Sequence, residues 1–221
     1  EIYDFVRQTN PVEFANDEFE YSKKAMGDIE VNCSAFAASI SNRTTRQIEL
    51  KAPSKIDGRH VKPIKKYIWS VVKKLTHNEI LYFGYRILES NPTAVYSIRV
   101  KFPFMLVDEF QDTNPLQTSL IKLIGQKSTI IGIVGDVAQS IYSFQGARPT
   151  DFKNFSIEGD RELKEYVING NRRSTENIVN FCNFLRQSDD EVLQLSQRPY
   201  NTAGEKEQAE AKKIHFLIGN S

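Results

Sequence analysis

Three short, largely apolar runs, each giving way to polar residues, limit the fold of this chain more than any other feature. Phe104-Met105-Leu106-Val107 runs into Asp108-Glu109, and Thr129-Ile130-Ile131-Gly132-Ile133-Val134 runs into Gly135-Asp136. Glu165-Tyr166-Val167-Ile168 precedes Asn171-Arg172-Arg173. Continuous rather than alternating apolar character marks strands buried on both faces, as in a parallel sheet. Between the runs the sequence predicts helices. Asn114-Pro115 opens one over about 115–124, closed by Gly125. Another spans about 175–186, with Ser174 as N-cap and Ile178, Cys182 and Leu185 facing inward. Strands alternating with helices predict an α/β fold with a parallel sheet.

The first third of the chain is less regular. Residues 1–58 read as short helices and loops, whereas Ile64, Ile68, Val71 and Leu75 recur at helical spacing, with Trp69 near that stripe and expected in the core. A second helix is expected over about 78–89, burying Ile80, Leu81, Phe83, Ile87 and Leu88, and ended by Asn91-Pro92. Residues 187–211 read as a polar linker or excursion, and a further strand begins near 213–218. The resulting division is 1–75, 76–187 and 188–221. The chain does not start with Met and stops inside a strand-like run, so a piece of a longer protein is expected.

Composition matters chiefly through its unevenness. Residues 43–74 hold ten Lys/Arg against two acids, a local +8 in a chain of net +1, which leaves −7 for the rest. Such an excess fits a polyanionic partner, although a solvated outer face of an amphipathic helix has the same composition. The lysines off the apolar stripe, Lys62, Lys65, Lys66 and Lys73, are the candidate phosphate contacts. Cys33 and Cys182 match no metal or redox spacing, so a reduced, cytoplasmic setting is expected. No apolar run approaches the roughly 18 residues of a spanning helix, and no membrane partner is expected.

The strand ends carry the chemistry. An acid pair between a strand and a helix start suits a magnesium–nucleotide site, with Asp108 toward the metal and Glu109 as general base for water. The plainer reading is an acidic first turn favourable to the next helix. After the second run, Gln139 can both donate and accept, which suits the sensing of a terminal phosphate. Tyr142 and Phe144 stand in the same loop, where they can stack on bases or simply anchor the loop on the core. Arg172 and Arg173 before a helix start form a candidate anion site.

Together, Asp108-Glu109-Phe110-Gln111-Asp112-Thr113-Asn114, the block 135–147 and Asn171-Arg172-Arg173-Ser174-Thr175 resemble motifs II, III and IV of the UvrD/Rep/PcrA-type superfamily-one DNA helicases. The resemblance covers about 76–186. It implies a RecA-like sheet with helices on both faces, preceded by part of a mostly helical inserted subdomain. It also implies ATP and Mg2+ as cofactors, with Asp108 binding the metal and Glu109 acting as base. Gln139 would read the γ-phosphate, Arg173 would reach it, and Tyr142 and Phe144 would stack on single-stranded DNA. Partners are then single-stranded or partly duplex DNA and the remainder of the helicase chain. Two positions depart from the family pattern: Arg172 replaces an aromatic that stacks on adenine, and Gln145 replaces an arginine. None of the eleven glycines is followed by Lys and then Ser or Thr, so these residues contain no P-loop. The chain alone is therefore not expected to hydrolyse ATP. The alternative is a non-catalytic helicase-like module that binds DNA or protein.

Overall fold

The computed structural model describes residues 27–44, 47–54, 56–142, 146–158, 163–186 and 192–210. The chain divides into two compact units, 1–136 with 140–161, and 137–139 with 162–221. The boundary near 161 falls inside the stretch 76–187 that the sequence assigns to one domain.

In the first unit, β1 (Glu30–Val31) pairs antiparallel with β2 (Leu50–Lys51). Helix α1 (Cys33–Ser41) is capped by Asn32, whose side-chain oxygen accepts from the Ala35 amide at 3.2 Å. Helix α2 (Gly58–Tyr67) is capped by Asp57 and runs on as a π-helical turn, Ile68–Val72, which Lys73 ends in a left-handed conformation (φ 58). Helix α3 (His77–Ser90) opens at Thr76, whose backbone amide donates to Glu79 Oε2 at 2.7 Å. Asn91 caps α4 (Pro92–Lys101), whose first residue is a proline that has no amide to leave unpaired.

Strand β3 (Phe104–Val107) then leads through a tight 3-10 turn, Phe110–Asp112, into α5 (Pro115–Gly125). Strand β4 (Ile130–Ile133) lies parallel to β3, with Phe104 opposite Ile130 and Val107 opposite Ile133. A short helix, α6 (Pro149–Lys153), follows.

The core of this unit gathers Val31, Phe36, Tyr82, Tyr85 and Leu116. Phe36 meets Tyr82 and Tyr85 edge-on, with ring centroids 4.9 and 5.4 Å away. Burial of a side chain of this size stabilises by about 1.5–3 kcal/mol, and each edge-on aromatic pair adds about 0.5–1.5 kcal/mol. Arg99 of α4 reaches the last turn of α5, donating to the carbonyls of Ile124 at 2.8 Å and Leu123 at 2.6 Å. A guanidinium there satisfies carbonyls that lack helical partners and complements the negative helix end.

In the second unit, β5 (Gly170–Asn171) pairs parallel with β6 (Leu195–Ser196), beside α7 (Glu176–Arg186), and α8 (Ala203–Glu210) comes last. A 3-10 turn, Val137–Gln139, also belongs here. No helix among the described residues is long and apolar enough to cross a membrane.

The mixed α/β class and the strand–helix boundaries around β3, α5 and β4 match the sequence reading. Several expectations need correction. Residues 165–168 form no ladder, and Tyr166, Val167 and Ile168 are 83%, 69% and 77% exposed, with pairing displaced to β5. In α3 the inward face is Tyr82 and Tyr85, while Ile80 and Ile87 point outward. In α7 the buried residue is Val179, and Ile178, Cys182 and Leu185 are exposed. That helix starts at Glu176, so Ser174 stands one residue too early to cap it. Residues 187–211 include β6 and α8 rather than only linker. Trp69 is half-buried edge-on to Phe83, at 5.3 Å, as expected of a packed residue. The strand expected at 213–218 lies outside the described residues.

Candidate functional site

Parallel pairing with no offset brings the ends of β3 and β4 to one edge, so that the Asp108-Glu109 and Gly135-Asp136 segments leave the sheet side by side. The pairing continues one step past the strands: the Val134 amide donates to the Val107 carbonyl at 2.8 Å, and the Phe110 amide donates to the Val134 carbonyl at 2.9 Å.

Between those bonds the chain turns through Glu109 in a left-handed conformation (φ 51, ψ 40). For a non-glycine residue this geometry costs on the order of 1 kcal/mol, and such strain concentrates at functional sites. It also interrupts the alternation that would send adjacent side chains to opposite faces. Both acids are exposed, and the Glu109 amide donates to Asp108 Oδ1 at 2.9 Å.

Beneath the acids lies Gln111, fully buried. Its Nε2 donates to Glu109 Oε2 at 2.7 Å, and its Oε1 accepts from the Asp136 amide at 3.0 Å. Phe110, also fully buried, packs against Phe155 at 5.1 Å and Phe152 at 6.0 Å, which fixes the base of the turn on α6. Asn114 closes the segment as a capping box: its Oδ1 accepts from the amides of Leu116 and Gln117, both at 3.0 Å, and its Nδ2 donates to Asn78 at 3.2 Å.

The sequence assigned no role to Gln111; the signal available was an amide side chain set among three acids, Asp108, Glu109 and Asp112. Asn171 was likewise missed. Its Oδ1 accepts from the amides of Arg173 at 3.0 Å and Ser174 at 2.8 Å, and this shapes the turn that carries the two arginines.

The candidate residues divide between the units. Asp108, Glu109 and Tyr142 belong to the first, with Tyr142 40% exposed; Gln139, Arg172 and Arg173 belong to the second, all exposed. Phe144 lies outside the described residues. Of the basic residues, Lys62, Lys66 and Lys73 are exposed. Lys65 is not: its side chain is 2% exposed and ion-paired with Glu79, which is fully buried. An ammonium enclosed in this way has no access to a phosphate, so Lys65 leaves the set of candidate contacts.

Magnesium is usually held by one or two carboxylates together with substrate phosphates, not by an all-protein cage. Among the described residues no group of three or more His, Cys, Asp or Glu is placed to hold a metal. An exposed carboxylate at a strand end, Asp108, fits the sparser kind of site. Both cysteines are free thiols, and burial pushes the Cys33 thiol upward from its ordinary value.

Over 183 residues the chain is 32% identical to the ATP-dependent DNA helicase PcrA of Staphylococcus epidermidis, covering 77% of this chain and 24% of that protein. It is 37% identical over 107 residues to DNA helicase II of Haemophilus influenzae, covering 48% of this chain and 14% of the relative. It is 36% identical over 109 residues to a probable DNA helicase II homolog of Mycoplasma capricolum, covering 49% and 15%. The chain thus spans about a quarter or less of the length of these relatives. A profile of the UvrD/REP helicase N-terminal domain matches residues 8–159, well over half of the sequence, and the chain belongs to that family.

Proposed function

We propose that this chain is part of an ATP-dependent DNA helicase, a motor that couples ATP hydrolysis to movement along single-stranded DNA. The observation that carries the reading is the shared edge of β3 and β4, where the exposed acid pair stands beside the Gly135-Asp136 turn. Magnesium–ATP, if bound there, would supply a γ-phosphoryl group open to in-line attack by water. Asp108 would hold the metal, and Glu109 would take the proton from the attacking water. Gln139 responds to the terminal phosphate, while Arg172 and Arg173 offer guanidinium groups to the nucleotide's anionic oxygens.

Tyr142 and Phe144 stack on unpaired bases, and Lys62, Lys66 and Lys73 contact phosphates without reading sequence. On this reading β3 and β4 belong to a RecA-like sheet, and the basic helical segment belongs to an inserted subdomain. The 221 residues contain no P-loop sequence, so turnover requires a phosphate cradle from outside them.

The test is ATP turnover by the complete gene product, with and without single-stranded DNA. DNA-stimulated turnover is expected. DNA binding without turnover would favour a non-catalytic module, and the lack of both would overturn the reading.

A further inference from the structure

We propose that Gln111 is a positioning residue that fixes the Glu109 carboxylate to the backbone of the β4 loop. The inference rests on the reading of Glu109 as general base, and it adds the part that holds the base in place.

The geometry leaves little freedom. Gln111 is fully buried, and each end of its carboxamide is used: the nitrogen donates to Glu109 Oε2 at 2.7 Å, and the oxygen accepts from the Asp136 amide at 3.0 Å. A carboxamide of this length donates to a carboxylate and accepts from an amide at once without carrying charge. A carboxylate in its place would keep the acceptor but face Glu109 with like charge, and a thioether would lose both bonds. Gly135 makes room for the arrangement. A Cβ there would lie 2.5 Å from Gln111 Oε1 and 3.3 Å from the backbone nitrogens of Gln111 and Phe110. The left-handed turn at Glu109 brings its side chain back within reach of the amide two residues on.

Asp136 is the last residue before the turn that contains Gln139. A shift of the Asp136 backbone pulls on Gln111, and through it on the orientation of Glu109. The base is therefore tied to the segment that follows β4 by two hydrogen bonds through a single side chain. Such a link sets the geometry of the reacting group without touching substrate.

Two variants separate positioning from general support, Gln111→Met and Gln111→Glu. In NMR of the 221-residue chain, the Gln111 side-chain amide protons should be protected in the wild type and lose that protection in Glu109→Ala. The Asp136 amide should exchange about tenfold faster in Gln111→Met and stay protected in Gln111→Glu, while the Val134 amide, bonded to Val107, should not change in either. In the complete gene product both variants should lower kcat for ATP about 10–100-fold, with KM nearly constant.

A role limited to packing would leave Gln111→Glu, which keeps the Asp136 bond, close to wild-type turnover. Wild-type turnover in either variant, or unprotected Gln111 amide protons in the wild type, overturns the proposal. A wild type lacking ATP turnover would remove the helicase reading instead, and the amide measurements would still decide the link.

Discussion

Lys65 of α2 and Glu79 of α3 form an ion pair with 2% and 0% of their side chains exposed, and the same carboxylate accepts from the Thr76 amide at 2.7 Å to close the N-terminus of α3. One carboxylate thus both caps its own helix and neutralises a charge on the preceding one. Removal of either partner leaves an unpaired charge in the interior. Lys65→Met or Glu79→Leu should destabilise the fold by about 3–5 kcal/mol, and the double replacement by much less than the sum. Lys62→Ala and Lys66→Ala should stay within about 0.5 kcal/mol. Urea titrations of the four single variants and the double variant check the pattern, and equal effects at Lys62 and Lys65 would contradict it.

Exposure also decides which lysines can meet DNA. If Lys62, Lys66 and Lys73 contact phosphates, each replacement by Ala should weaken single-stranded DNA binding and reduce the slope of log Kobs against log salt by about 0.7. The losses should be nearly independent of base sequence, since phosphate contacts carry none. Binding titrations at several salt concentrations provide the measurement. A wild-type affinity insensitive to salt would count against a basic face.

Asn114 holds the start of α5 through two backbone amides and reaches Asn78 near the start of α3. Asn114→Ala should cost about 1–2 kcal/mol as a lost cap, whereas Asn114→Asp, which keeps the accepting oxygen, should cost less. Thermal unfolding of both variants tests the order.

The Arg59 guanidinium and amide hold the Asp57 carboxyl down to about 2. A folded value below the ordinary carboxylate value means that the favourable contribution is complete above about pH 4. It is lost as pH falls through about 2. The Asp57 carboxyl carbon should therefore titrate with a midpoint near 2, and in Arg59→Ala the midpoint should rise toward the ordinary range. An unchanged midpoint in that variant would show that the guanidinium is not the cause.

What the sequence made legible was local. Phe104-Met105-Leu106-Val107 and the run from Thr129 to Val134 carry their own signal as unbroken apolar runs, although the burial on both faces that such runs imply is not met among the described residues, where Phe104, Leu106 and Ile130 are 69%, 81% and 55% exposed. Asn114-Pro115 carries the helix start in the same way. What it concealed depends on distant partners. Lys65 looked like its exposed neighbours because the residue that neutralises it lies on another helix. Tyr82 and Tyr85 took the inward face of α3 because Phe36 is there to receive their edges, and Ile80 and Ile87, more apolar by type, were left outside. Asn91-Pro92 reads equally well as a stop and as a start; it is both, which hid α4. In the site, the acid pair was evident from its spacing, whereas Gln111 required the Asp136 amide to show its function.

Glu109, at the end of β3, is the proposed base for hydrolysis. Its most direct test is the ATP turnover of the complete gene product carrying Glu109→Gln, measured beside its nucleotide affinity. Turnover should fall by at least about 100-fold, within the 10²–10⁴ range for loss of a general base, with nucleotide binding retained. Turnover equal to that of the wild type would contradict the assignment.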